Sequence, residues 1–282
     1  MIKKIVVTAF VFCFMTSIAF SQMERERVAP EGPVEEMFWA PNIVGMSTVQ
    51  SLPKNNLNVT IMHNFGVMND DIFHNFFGMD FGATVRLGID YGITERWSVG
   101  VGRTLLHRLY DFRTKYALLK QTESNSIPVS ISIKGDLGIN SSQNGFMFED
   151  RLNYFSSIMI ARKLTDALTL QLSPMYAHFN TPRDQLQDFY AIGIGGEYRL
   201  SRRWAIIAEY YPVLGDRPSG TKDAVAVGVN IETGGHVFQL FLKSSNWHTE
   251  QHILAQNRDD FWNGDIRFGF NVNRIFRIDK SN

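Results

Sequence analysis

Cysteine is almost absent from this chain. Its 282 residues include one, Cys13, near the beginning, so the rest of the chain excludes the class of small secreted domains held together by disulfides. Net charge is also lacking, since 28 Lys and Arg balance 28 Asp and Glu, and no overall field favours nucleic acid. After residue 20, no apolar run approaches the roughly 20 residues that a spanning helix needs.

The first 21 residues have the organisation of a secretory signal peptide. Lys3 and Lys4 precede an apolar run over residues 5–20, and small residues stand at Ala19 and Ser21. This pattern predicts cleavage after Ser21. A single N-terminal membrane anchor is the alternative, but the run is short for a spanning helix. We expect a flexible periplasmic segment over residues 22–42, which is charged and contains proline, and one β-domain over residues 43–282.

The clearest pattern in the chain is ATVRLGIDYGITERWSVGVGRT, residues 83–104. Apolar side chains stand at every second position and end in Tyr91 and Trp97 beside a polar turn, while glycine, Arg86 and Asp90 stand opposite. A period of two indicates β-strands. A soluble sandwich would bury the apolar face in its core, whereas a membrane barrel places it in lipid. An aromatic content of 13% at a mean hydropathy of −0.13 favours the barrel.

Twelve segments of this kind follow one another. They are residues 57–65, 83–91, 97–104, 110–119, 127–139, 151–161, 168–176, 190–200, 204–213, 224–231, 236–243 and 266–272. Short turns alternate with longer connections, as in an up-and-down barrel with periplasmic turns and external loops. We therefore predict an all-β, closed antiparallel transmembrane β-barrel of about 12 strands. Pro174 predicts a bulge in its strand. Residues 43–50 are compatible with a wall strand, a plug in the lumen or a periplasmic arm.

Several of these segments together resemble a known family. They are GIDYGITERWSVGVGRT with the preceding TIMHNFG and FGMDFGATVRLG, and the later YDFRTKYALLKQ, RLNYFSSIMIARKLTDALTLQLSP and IGIGGEYRLSRRWAIIAEYY. The chain resembles, from about residue 43 to its end, outer-membrane β-barrel proteins of Gram-negative bacteria known only as a domain of unknown function. The resemblance implies the fold and the outer membrane. It implies no activity, cofactor or active-site residue.

Charged side chains stand on the predicted lumen face. The candidates are Arg86, Asp90, Arg113, Lys115, Lys134, Asp136, Arg151, Glu197, Arg199, Glu209, Lys243 and Arg267. One interpretation is a passage or binding site whose charge rows select a solute. The other is a structural lumen in which opposite charges pair across strands. Basic residues outnumber acidic ones in this set, which favours a small anionic solute if the lumen is open.

Two further groups of residues have the side chains of a site. His248 and His252, with Glu250 between them in WHTEQH, would share one face of a helix and could bind a metal ion. The glutamate does not directly follow the first histidine as in zinc proteases, so we expect a solvated external loop over residues 244–264. Ser156 and His178 are candidates for a lipase pair, but no G-x-S-x-G and no third member of a triad are apparent. We predict no catalytic, metal or cofactor site.

Three functions remain from the sequence. The first is a non-enzymatic, porin-like narrow channel or solute-binding barrel with a charged lumen. The second is a structural or partner-docking barrel that binds a protein through external loops 67–81 and 244–264. The third is a lipid-active enzyme. The expected surroundings are outer-membrane lipid, and no nucleic-acid motif is present.

Overall fold

The computed structural model describes residues 32–68, 72–80, 82–142, 145–180 and 186–278. The predicted signal peptide and residues 22–31 lie outside this part of the chain. Within it, one antiparallel sheet contains β1 (Asn56–Val67), β2 (Thr84–Gly92), β3 (Trp97–Thr104), β4 (Leu109–Leu119), β5 (Ser130–Asn140), β6 (Leu152–Lys163), β7 (Leu168–Phe179), β8 (Asp188–Arg199), β9 (Trp204–Tyr211), β10 (Val213–Leu214), β11 (Ala224–Glu232), β12 (His236–Lys243) and β13 (Arg267–Arg277).

The sheet closes on itself. Each strand from β1 to β9 pairs with the next, β9 pairs with β11, and β13 completes the circle by pairing with β1. Strand β10 has two residues, follows β9 after Pro212 and pairs with β8. The wall of the barrel therefore has twelve strands, and the prediction of a closed antiparallel barrel of about 12 strands is confirmed. Within the described residues, each of the twelve wall strands pairs with a neighbour on both sides, so closure removes the open edges of the wall.

The two faces of the wall differ as the alternation predicts. On β2, the outward Leu87 and Ile89 are 55% and 46% exposed, whereas the inward Thr84 and Arg86 are 3% and 5% exposed. An exposed apolar band is stable when lipid surrounds it. The outward face therefore contacts the membrane, and the inward face surrounds the lumen.

The connections define two ends of the barrel. The end that holds the start of β1, the end of β13 and the turn over residues 93–96 is called the turn end. The longer connections, including residues 244–266, lie at the opposite, loop end. The bulge predicted at Pro174 is wrong, because the register between β6 and β7 continues without a shift from Asn153 opposite Phe179 to Lys163 opposite Thr169. The proline faces outward, so its missing N–H interrupts the ladder without displacing the strand.

Residues 39–50 form an inner hairpin that occupies the lumen. The chain pairs Pro33 with Thr122 at the turn end and then enters the barrel. It reverses where Ile43 N donates to Met46 O at 2.8 Å and returns to β1. Of the three alternatives for residues 43–50, the structure shows the plug in the lumen. Within the segment predicted to be flexible, residues 32–42 contribute buried apolar side chains such as Met37 and Phe38, which are 3% and 2% exposed.

A second insert enters from the loop end. Residues 244–257, here called the inward loop, include helix α1 (Glu250–Gln256), whose first six residues are buried. The prediction of a solvated external loop is wrong for this segment, because Ile253, Leu254 and Ala255 pack into the apolar cluster that fills the lumen. No helix in the described part of the chain is long and apolar enough to cross a membrane.

Candidate functional site

The lumen has an apolar side and a charged side. Under the two inserts, strands β6 to β12 contribute buried apolar residues, among them Phe155, Met159, Met175, Ile207 and Phe241. Strands β2, β4 and β5 instead contribute buried ion pairs. The inserts pack on the apolar side, so the remaining space lies against the charged side.

The ion pairs of β2 and β4 form a continuous ladder. Arg86 Nη2 lies 2.6 Å from Asp111 Oδ1, and Arg113 Nη2 lies 2.8 Å from Asp90 Oδ1. Arg113 also pairs with Asp111, so two arginines and two aspartates alternate. Charges removed from water are stable here because each has an opposite charge beside it.

Glycines on the lumen face make room for this ladder. A Cβ atom at Gly100 would lie 2.8 Å from Arg113 Nη2, and one at Gly102 would lie 2.8 Å from Arg113 Nη1. At Gly88 it would lie 3.0 Å from Arg86 Nη1. Gly88, Gly100 and Gly102 therefore let the guanidinium groups lie close against the wall.

Replacing Gly102 with alanine is expected to destabilise the barrel by about 1–3 kcal/mol, the usual cost of overpacking. The free energy of unfolding in urea, measured in detergent micelles, tests this. Gly135→Ala is the matched control, because its Cβ would make ordinary contacts, with Thr114 Cγ2 at 3.8 Å. Equal stability of the two variants would show that the ladder tolerates displacement.

The tip of the inner hairpin is held by Glu209 of β9. Its carboxylate accepts hydrogen bonds from the backbone N–H groups of Val44, Gly45 and Met46, each at 2.9 Å. Successive N–H groups converging on one anion form a nest. Hydrogen bonds to an ionised acceptor are stronger than neutral ones, so Glu209 is the strongest single attachment of the hairpin.

Uncharged wall side chains hold other parts of the hairpin. Gln171 Nε2 donates to Ser47 O at 2.8 Å and its Oε1 accepts from Val49 N at 2.9 Å. Gln239 Nε2 donates to Ile43 O at 2.6 Å, and Asn271 Nδ2 to Val44 O at 3.0 Å. The sequence interpretation missed these amides because it considered only charged lumen positions. The sequence feature that could have identified them is an amide side chain at an inward-facing position of an alternating strand.

A cavity of about 80 Å³ separates the hairpin from the charged wall. It reaches from Leu52 and Ile275 near the turn end to Glu250 of the inward loop. That volume accommodates a few water molecules. Its charged lining consists of Arg86, Arg113, Lys115 and Lys134 with Asp90, Asp111, Asp136 and Glu250. Basic and acidic side chains are therefore balanced at the cavity, and the excess of basic residues expected from the sequence is not found there. The predicted lumen residues lacked Asp111 and Glu250, which supply two of the four carboxylates.

The structure brings together six of the predicted lumen residues at this cavity: Arg86, Asp90, Arg113, Lys115, Lys134 and Asp136. Glu197, Glu209 and Lys243 also face inward but are covered by the inserts, while Arg199 pairs with Glu197. Arg267 pairs with Asp259 at 2.7 Å. The structure corrects the prediction that Arg151 lines the lumen, because this residue lies in a 3₁₀ turn before β6 and donates to Phe146 O at 2.8 Å.

The histidines of the inward loop have structural contacts. His248 Nε2 lies 3.1 Å from Thr84 Oγ1, and His252 Nδ1 lies 2.9 Å from Thr249 Oγ1. Burial lowers the pKa of His252 to about 3, so its ring is neutral at physiological pH. Among the described residues, no group of three or more His, Cys, Asp and Glu side chains is placed to hold a metal ion.

The residues considered for lipase chemistry do not form a pair. Ser156 faces outward on β6. His178 Nδ1 lies 2.8 Å from Asp188 Oδ1, and His178 Nε2 lies 3.0 Å from Asn180 Oδ1. Both ring nitrogens therefore bind groups other than the serine. A nucleophile needs its base within hydrogen-bond reach.

A closed twelve-stranded wall with an apolar outer face and buried charged side chains in its lumen defines a transmembrane β-barrel. The family model described as "Membrane bound beta barrel domain (DUF5777)" matches residues 38–276, and the chain belongs to this family. The resemblance to a barrel family known only as a domain of unknown function is thereby confirmed, and the protein is a membrane-bound β-barrel. A search of the curated proteins gives no match.

Several solved channel structures have a similar fold. The COG4313 outer membrane channel from Pseudomonas putida F1 is 13% identical, with 80% of this chain and 97% of that chain covered and a TM-score of 0.50. The NanC porin is 10% identical over 79% of this chain and 99% of its own, with a TM-score of 0.49. The KdgM porin in complex with disordered oligogalacturonate is 13% identical over 79% and 99%, with a TM-score of 0.48. At these identities the likeness concerns the fold.

Proposed function

We propose that the protein is a non-enzymatic gated channel whose closed state is the structure described here. The observation that carries this proposal is the attachment of the inner hairpin. Over residues 43–50 it is bound by wall side chains, whereas the wall strands pair with one another. Water can replace side-chain hydrogen bonds when the hairpin leaves. The wall keeps its backbone ladder, so opening requires no rupture of the barrel.

The proposed solute is a small anion. Lys115 Nζ donates to Thr48 O at 3.1 Å and Gln50 O at 2.6 Å, and Lys243 Nζ donates to Trp247 O at 3.0 Å. In the described part of the chain, neither lysine forms a salt bridge with a carboxylate. When the inserts leave, both ammonium groups lose their carbonyl partners. They then become available to a passing anion.

A cysteine cross-link tests the gating. Ser132 Oγ of β5 lies 3.1 Å from Val49 O of the hairpin, and the mature chain predicted from residue 22 has no cysteine. We expect the double variant Val49→Cys, Ser132→Cys to remain closed in a planar bilayer while a short bis-maleimide, which alkylates both thiols, joins the two positions. Without the cross-linker, opening events should occur. The single variant Ser132→Cys treated with the same reagent is the control, and equal conductance of cross-linked and free double variants would contradict the proposal.

Partner docking is a second proposal, supported by the loop end. Phe73 is 87% and Trp262 is 80% exposed, and Phe73 lies beside the exposed Phe77. A contiguous exposed apolar patch of this kind marks an interaction site. The variant Phe73→Ser, Trp262→Ser should then lose a protein partner while its conductance is unchanged. A loss of conductance instead would assign these loops to the channel. The inward loop belongs to the lumen, so its deletion does not test docking.

A further inference from the structure

The inner hairpin and the inward loop contact each other inside the lumen. Ser47 N donates to Glu250 Oε1 at 3.1 Å, and Ser47 Oγ donates to Glu250 Oε2 at 3.1 Å. A Cβ atom at Gly45 would lie 3.1 Å from Ile253 Cδ1, so helix α1 packs closely on the hairpin tip. Each insert therefore forms part of the surface that holds the other.

Glu250 also binds the wall. Its carboxylate pairs with Lys134 of β5, which pairs with Asp136 at 2.8 Å. Ser47, Lys134 and Glu250 are 7%, 9% and 2% exposed. If Glu250 moves, the Ser47 N–H loses its acceptor, and a buried donor without a partner is costly. Movement of the inward loop therefore weakens the binding of the hairpin.

We infer that Glu250 couples the two inserts into one gate, so that loosening either insert loosens the other. This inference rests on the proposed function, because it requires the hairpin to leave the lumen. The inserts enter from opposite ends of the barrel. The coupling therefore transmits a displacement at the loop end to the turn end while the wall remains still. Thermodynamic linkage makes the effect reciprocal.

Two thiol reporters measure the coupling. Met46→Cys reports on the hairpin and Leu254→Cys on the inward loop, at positions that are 0% and 1% exposed. Each is placed in the full mature chain in detergent micelles, and its reaction rate with a hydrophilic maleimide is measured. Glu250→Ala is expected to accelerate labelling of Met46→Cys about 5- to 150-fold, the usual range of a coupling between sites.

The reciprocal experiment perturbs the hairpin tip and measures labelling of the inward loop. Glu209 hydrogen-bonds to the hairpin and to Tyr211, with no described hydrogen bond to the inward loop. Glu209→Gln should nevertheless accelerate labelling of Leu254→Cys within the same range. Gln256→Ala is the control for α1, since its side chain is partly exposed, and it should leave Met46→Cys slow. Ser47→Ala, which keeps the Lys134–Glu250 pair, should give a smaller acceleration and serves if Glu250→Ala does not fold.

The outcomes separate this inference from the proposed function. If Glu209→Gln accelerates Met46→Cys but leaves Leu254→Cys unchanged, the inserts move independently and the coupling is overturned, while the gating remains. If Met46→Cys stays unreactive in both Glu209→Gln and Glu250→Ala, the hairpin does not leave and both proposals fail. Heat-modifiable migration of each variant verifies that the wall is intact.

Discussion

Replacing residues 39–50 with a glycine-serine linker of equal length is expected to convert a mostly silent barrel into a steadily conducting one. The wall loses no strand pairing, because these residues lie outside the ladder. A flexible linker has no side chains with which to fill the lumen. The exposed polar lining then hydrates, since a barrel of twelve strands lies between filled small barrels and open porins in width. Single-channel recording in planar bilayers measures this effect.

The same variant reveals the selectivity of the pore. Lys115→Glu, added to the linker variant, should shift the reversal potential in a salt gradient toward cation selectivity. The substitution replaces an ammonium group, which the linker variant has freed from two carbonyl partners, with a carboxylate. A linker in the exposed loop over residues 215–220 is the control and should leave the barrel closed. A silent linker variant that still migrates as a folded barrel would mean that the inward loop alone closes the lumen.

Glu209→Gln is expected to have the second largest effect. Three N–H groups of the hairpin tip lose an ionised acceptor, and a hydrogen bond to a charged group contributes about 1.5–3 kcal/mol. Losing one such contribution alone lowers the docking equilibrium constant about 10- to 100-fold. The fraction of time spent open in single-channel records should rise accordingly. Glu123→Gln, an exposed carboxylate in the turn after β4, is the control and should behave as the parent chain. An unchanged open fraction in Glu209→Gln would show that the nest does not hold the hairpin.

The wall was predictable because its information is local. Alternation within ten residues assigns each side chain to lipid or lumen, and the alternation of short and long connections gives the order of the strands. Arg86 and Asp90 of β2 line the lumen cavity in the structure, on the face to which this alternation assigns them. The sequence alone does not explain why glycine stands at positions 100 and 102. Both glycines are needed because side chains of other strands, above all Arg113, lie against them.

The contents of the lumen were not predictable in the same way. Residues 39–50 have neither a strand period nor a helix period, and their position depends on a cavity that twelve distant strands create. Residues 244–257 contain His, Asn and Gln, which suggest a solvated loop, yet these groups bind wall side chains and their own neighbours. Arg151 was misplaced because β6 begins one residue later. Contacts of this kind join residues such as Val44 and Asn271, 227 positions apart, and no local pattern records them.

The most direct test of the account is the reactivity of Met46→Cys in the otherwise intact mature chain, reconstituted in lipid vesicles and exposed to a hydrophilic maleimide. Thr165→Cys, in the exposed turn between β6 and β7, gives the reference rate. Met46→Cys is expected to react far more slowly than the reference, and Glu209→Gln is expected to remove most of this protection. Equal rates at Met46→Cys and Thr165→Cys would show that the hairpin does not occupy the lumen, contrary to the plugged barrel described above.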